Sequence, residues 1–155
     1  MMKHYIILGL LILVTGCTAG IVSSDNLTYD VTKLNGTEPA FNNAYWNETR
    51  PGLYVDVNTG EALFISLDKF ESGTGWPSFT KPLENTSIQE STDASFGLAR
   101  TEVHTSASHL GHVFDDGPNG NLRYCINSAA LRFIPYSELD SAGYGQYKKM
   151  FDNNI

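Results

Sequence analysis

From Gly52 to Pro135 the chain is cut into short strand-like runs by turn residues, and this punctuation confines the fold more than any other feature. GLYVDV and EALFIS flank NTG, a hairpin signal. FGLARTEVHT, LGHVFDD and LRYCINSAALRFI read as further strands, with GPNGN a strong turn before the last. Helical signals are confined to the ends. YDVTKL predicts a short helical turn that stops before Asn35-Gly36. Ser137 to Asp140 matches a capping box, and Gly143 is expected to stop a short terminal helix. Residues 84 to 95 are polar and read as a surface loop. A β-rich domain with many turns is the expected class.

The chain has 155 residues, of which 41% are hydrophobic, which suits one globular domain with a real core. Its net charge of −7 argues against nucleic acid as a partner, because phosphate binding needs clustered Lys and Arg.

The opening MMKHYIILGLLILVTGC reads as a targeting signal. Its apolar run, Tyr5 to Val14, is about half the roughly 20 residues that a membrane-spanning helix needs. Val14-Thr15-Gly16-Cys17 resembles a bacterial lipobox, in which the cysteine becomes lipidated and N-terminal. The expected organisation is therefore a signal peptide over residues 1–16, a lipid anchor and tether over 17–28, and one folded domain over 29–150. The expected location is the bacterial cell envelope, outside the cytoplasm, held to the membrane through lipid on Cys17. A lipidated Cys17 has no thiol, so Cys125 becomes the only free cysteine. A disulfide scaffold and a zinc site of paired cysteines are then excluded by counting.

In a strand, side chains alternate between faces. Arg123, Cys125 and Asn127 fall on one face of LRYCIN, and Tyr124 and Ile126 on the apolar other. An apolar filler cysteine belongs with Tyr124 and Ile126. Arg123 beside it is expected to stabilise a thiolate and lower its pKa. In HLGHVFDDG, His109 and His112 are three apart, which in a regular strand puts them on opposite faces. A bulge at Gly111 is expected to bring both to one side. Asp116 is placed to orient or charge a histidine from the turn. The aromatic loop SGTGWPSF offers Trp76 as a face for a methyl-sulfur group. Taken singly, each residue has a plain structural role: a core histidine, an aspartate capping a turn, Trp76 and Phe79 covering the core.

GTEPAFNNAYW, GLYVDVNTGEALF, DKFESGTGWPSF, HLGHVFDDGP and LRYCINSAALRFIP together resemble the methionine sulfoxide reductase B family, from about Leu27 to Ser141. The resemblance implies a mainly β fold of two antiparallel sheets with short peripheral helices. It implies reduction of the R epimer of methionine sulfoxide in proteins. It implies that Cys125 is the nucleophile, with His109, His112, Asp116, Arg123 and Asn127 in the active site. Trp76 then packs on the substrate methyl, and Phe114 joins it in binding substrate. Three departures stand out. Where zinc-bearing members carry Cys-x-x-Cys pairs, this chain has Asp56 and Thr59, then EVHTSASH without cysteine, so no zinc is expected. Thr74 stands where many members have a resolving cysteine. The segment from Val103 to His109 is shorter than the family's usual version.

The mechanism expected from this is attack of the Cys125 thiolate on the sulfoxide sulfur. His112 serves as general acid with His109 in support, and Asp116 and Asn127 position the histidine network or a water. A Cys125 sulfenic acid results, and an external reductant, thioredoxin-like or a small thiol, must restore it. No bound cofactor is expected. Two rivals stay open from the residues: a cysteine hydrolase using Cys125, His112 and Asn127, or a non-catalytic lipoprotein binding metal through His104, His109 and His112.

Overall fold

The computed structural model describes residues 24–152; the expected signal peptide over 1–16 and the lipidation at Cys17 lie outside the described residues. Helix α1, Ser24–Leu34, opens the described chain. It corrects the expected tether over 17–28, because the folded part begins within it. Leu27 and Val31 are four apart and so share a helix face, which packs on the core with Val31 fully buried. Asp25 and Asn26, polar residues within the expected tether, are on the outer side of this helix. As expected, it stops before Asn35-Gly36. Asn35 turns left-handed (φ 54°), and Gly36 N–H donates to Asp30 C=O at 2.9 Å. A Cβ on Gly36 meets that oxygen at 2.8 Å, so glycine is required there.

Among the described residues nine strands form two antiparallel sheets, as expected. They are β1 Gly52–Asp56, β2 Ala62–Ile65, β3 Lys69–Phe70, β4 Ser78–Phe79, β5 Gln89–Asp93, β6 Arg100–His104, β7 His109–Phe114, β8 Arg123–Ile126 and β9 Leu131–Pro135. The smaller sheet has the order β2-β1-β9, and the larger β3-β4-β8-β7-β6-β5. Tyr54, Phe64, Phe79, Tyr124, Ile126 and Phe133 fill the main core, with Phe64 stacked on Phe79 at 4.5 Å. Burying each such ring contributes roughly 2–3 kcal/mol. A second cluster, Leu53, Val55, Ile65, Ile134 and Leu139, packs under the C-terminal segment. That segment reaches one residue past the expected end at 150, to the fully buried Phe151.

Three readings of the sequence are corrected. Residues 89–93 are not loop but the edge strand β5, whose side chains are mostly exposed, so no apolar alternation marks it. LRYCINSAALRFI is not one strand. It leaves the large sheet after Ile126, makes a 3₁₀ turn at Ser128–Ala130, and enters the small sheet as β9. The capping box at Ser137 does not start a helix at that residue; Tyr136–Glu138 is a 3₁₀ turn whose cap residue is Pro135. Gly143, at φ 86°, ends the turn that follows.

The expected bulge in β7 is present. Val103 pairs with Gly111 and His104 with His109, so Leu110 is the extra residue. Leu110 and Val113 enter the core, while His109 and His112 come to the other side with ring centroids 5.6 Å apart. A Cβ on Gly111 stands 2.1 Å from the Cys125 carbonyl oxygen, so only glycine lets β7 lie this close to β8.

Asp56 is fully buried and ties two turns together. Its Oδ1 accepts from the Asn58 and Thr59 N–H groups, at 2.8 and 3.2 Å, and from Ser108 Oγ at 3.0 Å. Its Oδ2 accepts from Thr105 Oγ1 at 2.9 Å. The β1–β2 turn is thus clasped to the β6–β7 turn.

Candidate active site

Cys125 lies in the middle of the large sheet, paired across β4 with Ser78 and across β7 with His112. Cross-strand partners share a face, so its side chain stands with His112 and away from Tyr124 and Ile126. The sequence reading of the two faces holds. Cys125 is half-buried and is the free cysteine of the described residues. It opens into a cleft that Trp76, Phe114, His112, Arg100 and Asn127 also line.

The expectation of a lowered thiol pKa is corrected. Burial pushes the Cys125 thiol up, and the Arg123 guanidinium with the Thr74 and Ser78 hydroxyls only partly offsets it. Arg123 is committed elsewhere. Its Nε and Nη2 donate to the two oxygens of Asp116, at 2.8 and 2.9 Å, and its guanidinium lies 4.3 Å from the Phe114 ring centroid. Asp116 therefore holds Arg123 rather than orienting a histidine. A bidentate pair stacked on a ring fixes a positive charge in place.

The carboxylates on the histidines are ones the sequence reading missed. His112 Nε2 lies 2.8 Å from Asp93 Oδ2, which also accepts from Arg100 Nη2 at 2.7 Å. Hydrogen bonds from Ser95, His112 and Arg100 hold the Asp93 carboxyl well below the usual carboxylate range. Burial pushes His112 down despite Asp93, and Arg100 adds to that. At neutral pH His112 is neutral, its Nε2–H is donated to Asp93, and Nδ1 is the acceptor left over. His109 Nδ1 lies 2.6 Å from Glu102 Oε1, while its buried Nε2 has no protein partner. A second cavity, which shares Arg100 and His112 with the first, is lined by Asp93, Glu102 and His109.

Trp76 stands on a stiff turn between Gly75 and Pro77, and its Nε1 donates to the Glu38 carbonyl at 3.0 Å. A Cβ on Gly75 (φ 88°) meets the Phe41 backbone nitrogen at 2.6 Å, which pins the turn to that segment. Asn127 lies one residue past β8. Its Nδ2 donates to the Leu110 carbonyl at 3.0 Å, and its Oδ1 accepts from the Glu38 N–H at 3.2 Å. Thr74 Oγ1 is 4.0 Å from Cys125 Sγ. His104 pairs across the sheet with His109 but does not line the Cys125 cleft, and its Nδ1 lies 3.2 Å from the Thr105 carbonyl. Among the described residues, no three His, Cys, Asp or Glu side chains gather as a metal-holding group.

Two antiparallel sheets carry one thiol and two carboxylate-held histidines on a common face, a set suited to cysteine chemistry. The SelR domain family model matches residues 25–135, and the chain belongs to that family, the type B methionine-R-sulfoxide reductases. Its activity is that of the family, an oxidoreductase that reduces the R-sulfoxide of methionine in oxidised proteins.

Proposed function

We propose that Cys125 reduces methionine R-sulfoxide directly, by a route in which its own proton reaches the departing oxygen. The observation that carries this is the pairing of Cys125 with His112 across β7 and β8, in a cleft with Trp76. The free enzyme holds Cys125 as a thiol and His112 as a neutral base. When the sulfoxide enters, the thiol proton passes to His112, and the thiolate attacks the sulfoxide sulfur. His112 then delivers the proton to the oxygen, with Asp93 and Arg100 fixing the ring. The sulfur–oxygen bond to methionine breaks and the oxygen ends on Cys125. The balance is thiol plus sulfoxide giving sulfenic acid plus thioether, with no net proton consumed. Trp76 and Phe114 hold the methyl-sulfur end. Arg123, locked by Asp116, stabilises the thiolate once it forms. Asn127 and His109 shape the cleft from either side.

The second half-reaction uses an external thiol, thioredoxin-like or small, because Thr74 and Ser78, whose hydroxyls reach Cys125 Sγ, supply no thiol. We place the protein in the bacterial cell envelope, on the strength of the lipobox-like Val14-Thr15-Gly16-Cys17, with lipid on Cys17 as its membrane anchor. We also propose that it works without zinc. Asp56 and Thr59, at the first pair of metal positions of zinc-bearing members, offer no thiolate. Both Asp56 oxygens are already spent on Asn58, Thr59, Thr105 and Ser108, so these residues do not fit the metal.

The test supplies R and S sulfoxide peptides with a dithiol reductant. Consumption of the R epimer alone is expected, with a dimedone adduct on Cys125 when the reductant is withheld. Turnover of the S epimer in its place, or an acyl adduct on Cys125, sinks the proposal.

The pH dependence has a definite sign. The active form carries one proton shared between Cys125 and His112. Activity falls in acid as His112 gains a second proton, below the usual histidine range because its pKa is lowered. It falls in base only above the ordinary cysteine range, because the thiol is raised. A plateau across neutral pH is expected in kcat/KM. Alkylation of Cys125 by iodoacetamide is expected to rise with a midpoint above that of a free cysteine. A midpoint below that of a free cysteine contradicts the resting thiol.

A further inference from the structure

Glu38 is only 2% exposed, yet no step above uses it. A carboxylate this deep needs partners that account for it. Its Oε1 accepts from the Ser128 N–H, and its Oε2 accepts from the Ala129 N–H at 2.8 Å. Its own N–H donates to Asn127 Oδ1 at 3.2 Å, and its carbonyl accepts from Trp76 Nε1 at 3.0 Å. Thr37, the residue before it, lines the cleft. One residue therefore touches Trp76 on one wall, Asn127 on the other, and the turn that follows the Cys125 strand.

The division of labour within Glu38 is informative. Its backbone makes the two contacts to the cleft, and those need no particular side chain. Its carboxylate makes none of them; it clamps the 37–38 backbone onto Ser128–Ala129. Two acceptors facing two successive N–H groups suit a carboxylate and not an amide, because an amide turns its own donors toward one of those N–H groups. The clamp sits at the turn by which the chain leaves the large sheet after Ile126, the crossing absent from the sequence pattern.

We propose that Glu38 is a positioning residue for sulfoxide reduction: its carboxylate fixes where Trp76 and Asn127 stand around Cys125, and so sets the affinity of the cleft for the methyl sulfoxide. This rests on the cleft being the sulfoxide site. Cys125 itself is held by its β4 and β7 pairing, which Glu38 does not touch. Loss of the clamp therefore weakens binding more than it weakens the thiol.

The test uses Glu38→Gln and Glu38→Asp in the full chain, in a Trp46→Phe background. The chain has two tryptophans, so Trp76 is then the only indole. For Glu38→Gln, KM for an R-sulfoxide peptide is expected to rise about tenfold or more with kcat changed much less. The Trp76 emission is expected to shift, while Cys125 alkylates at close to the parent rate. Glu38→Asp keeps two acceptors but is one methylene short, and an intermediate KM and emission are expected; it decides the matter if the Gln variant does not fold. Unchanged KM and emission in an active parent overturn the Glu38 role alone. So does a loss of activity that only follows the unfolded fraction in thermal melts. Absence of R-sulfoxide turnover in the parent overturns the reading of the cleft instead, whichever way the emission moves.

Discussion

Given an R-sulfoxide peptide and no reductant, each protein molecule is expected to release about one methionine and stop, while Cys125→Ser releases none. The limit of about one follows from the electron count. Reducing the sulfoxide takes two electrons, and one thiol supplies them by becoming a sulfenic acid. No neighbouring thiol then takes over, since Thr74 and Ser78 are the side chains that hydrogen-bond Cys125 Sγ besides Arg123. Serine fails for a chemical reason rather than a geometric one. An alcohol attacking the sulfoxide sulfur has no stable product that holds the transferred oxygen. The loss is therefore expected to exceed about 1,000-fold, beyond what misplacing a binding residue causes. The fold tolerates the change. Cys125 is half-buried at the cleft, the β8 ladder is made by backbone, and a hydroxyl has Thr74 and Arg123 beside it. A melting temperature near that of the parent, with no methionine by mass spectrometry, is the expected pair of results. Methionine release by the serine variant at a tenth of the parent rate excludes Cys125 as the oxygen acceptor.

What the sequence made legible, and what it hid, follows from the range of each interaction. β1, β2, β7, β8 and β9 were readable because apolar residues recur beside turn residues within a few positions. The two-faced character of Arg123-Tyr124-Cys125-Ile126 was readable for the same reason. β5 was not: it is an edge strand with both faces wet, held by backbone pairing to β6, and its composition is that of a loop. Ser24 to Thr28 misled in the same way, since a helix with one narrow buried stripe is mostly polar. Of the nominated residues, Cys125, His112 and Trp76 line one cleft, and His109 stands beside His112. Their carboxylate partners were not, because Asp93 and Glu102 reach the histidines through the β5–β6–β7 register, which no local pattern displays. Asp116 was paired with a histidine on sequence proximity, yet it lies opposite Arg123 across the β7–β8 turn. The sign of the Cys125 shift was missed for a similar reason. An adjacent arginine is visible in the sequence, whereas the burial that outweighs it comes from residues distant along the chain, such as Thr37 and Trp76 in the same cleft.

Thr74→Cys is expected to change how the enzyme is regenerated without changing how it reduces the sulfoxide. Thr74 Oγ1 lies 4.0 Å from Cys125 Sγ, and a sulfur placed there must close to about 2.0 Å to form a disulfide. The loop leaves room for that movement. Gly73 has nothing within 4 Å of a Cβ, and the Thr74 hydroxyl is held by Ser72 Oγ at 2.8 Å, a contact a cysteine does not need. The sulfenic acid condenses with the introduced thiol, forming the disulfide and releasing water. An intramolecular thiol this close outcompetes any thiol in solution because its effective concentration is far higher. Dimedone labelling after one turnover is therefore expected to fall about tenfold or more, with two thiols lost per methionine released rather than one. A protein dithiol of the thioredoxin type, which reduces disulfides by exchange, is expected to sustain turnover at least about tenfold faster than in the parent. Methionine release in the first turnover stays at the parent rate, since the hydroxyl contributes only one of the contacts to Sγ. Full dimedone labelling with both thiols still titratable places the sulfenic oxygen on the far side of Cys125 from Thr74. The reductant then approaches from the Trp76 mouth of the cleft, and the threonine is a wall rather than a missing partner.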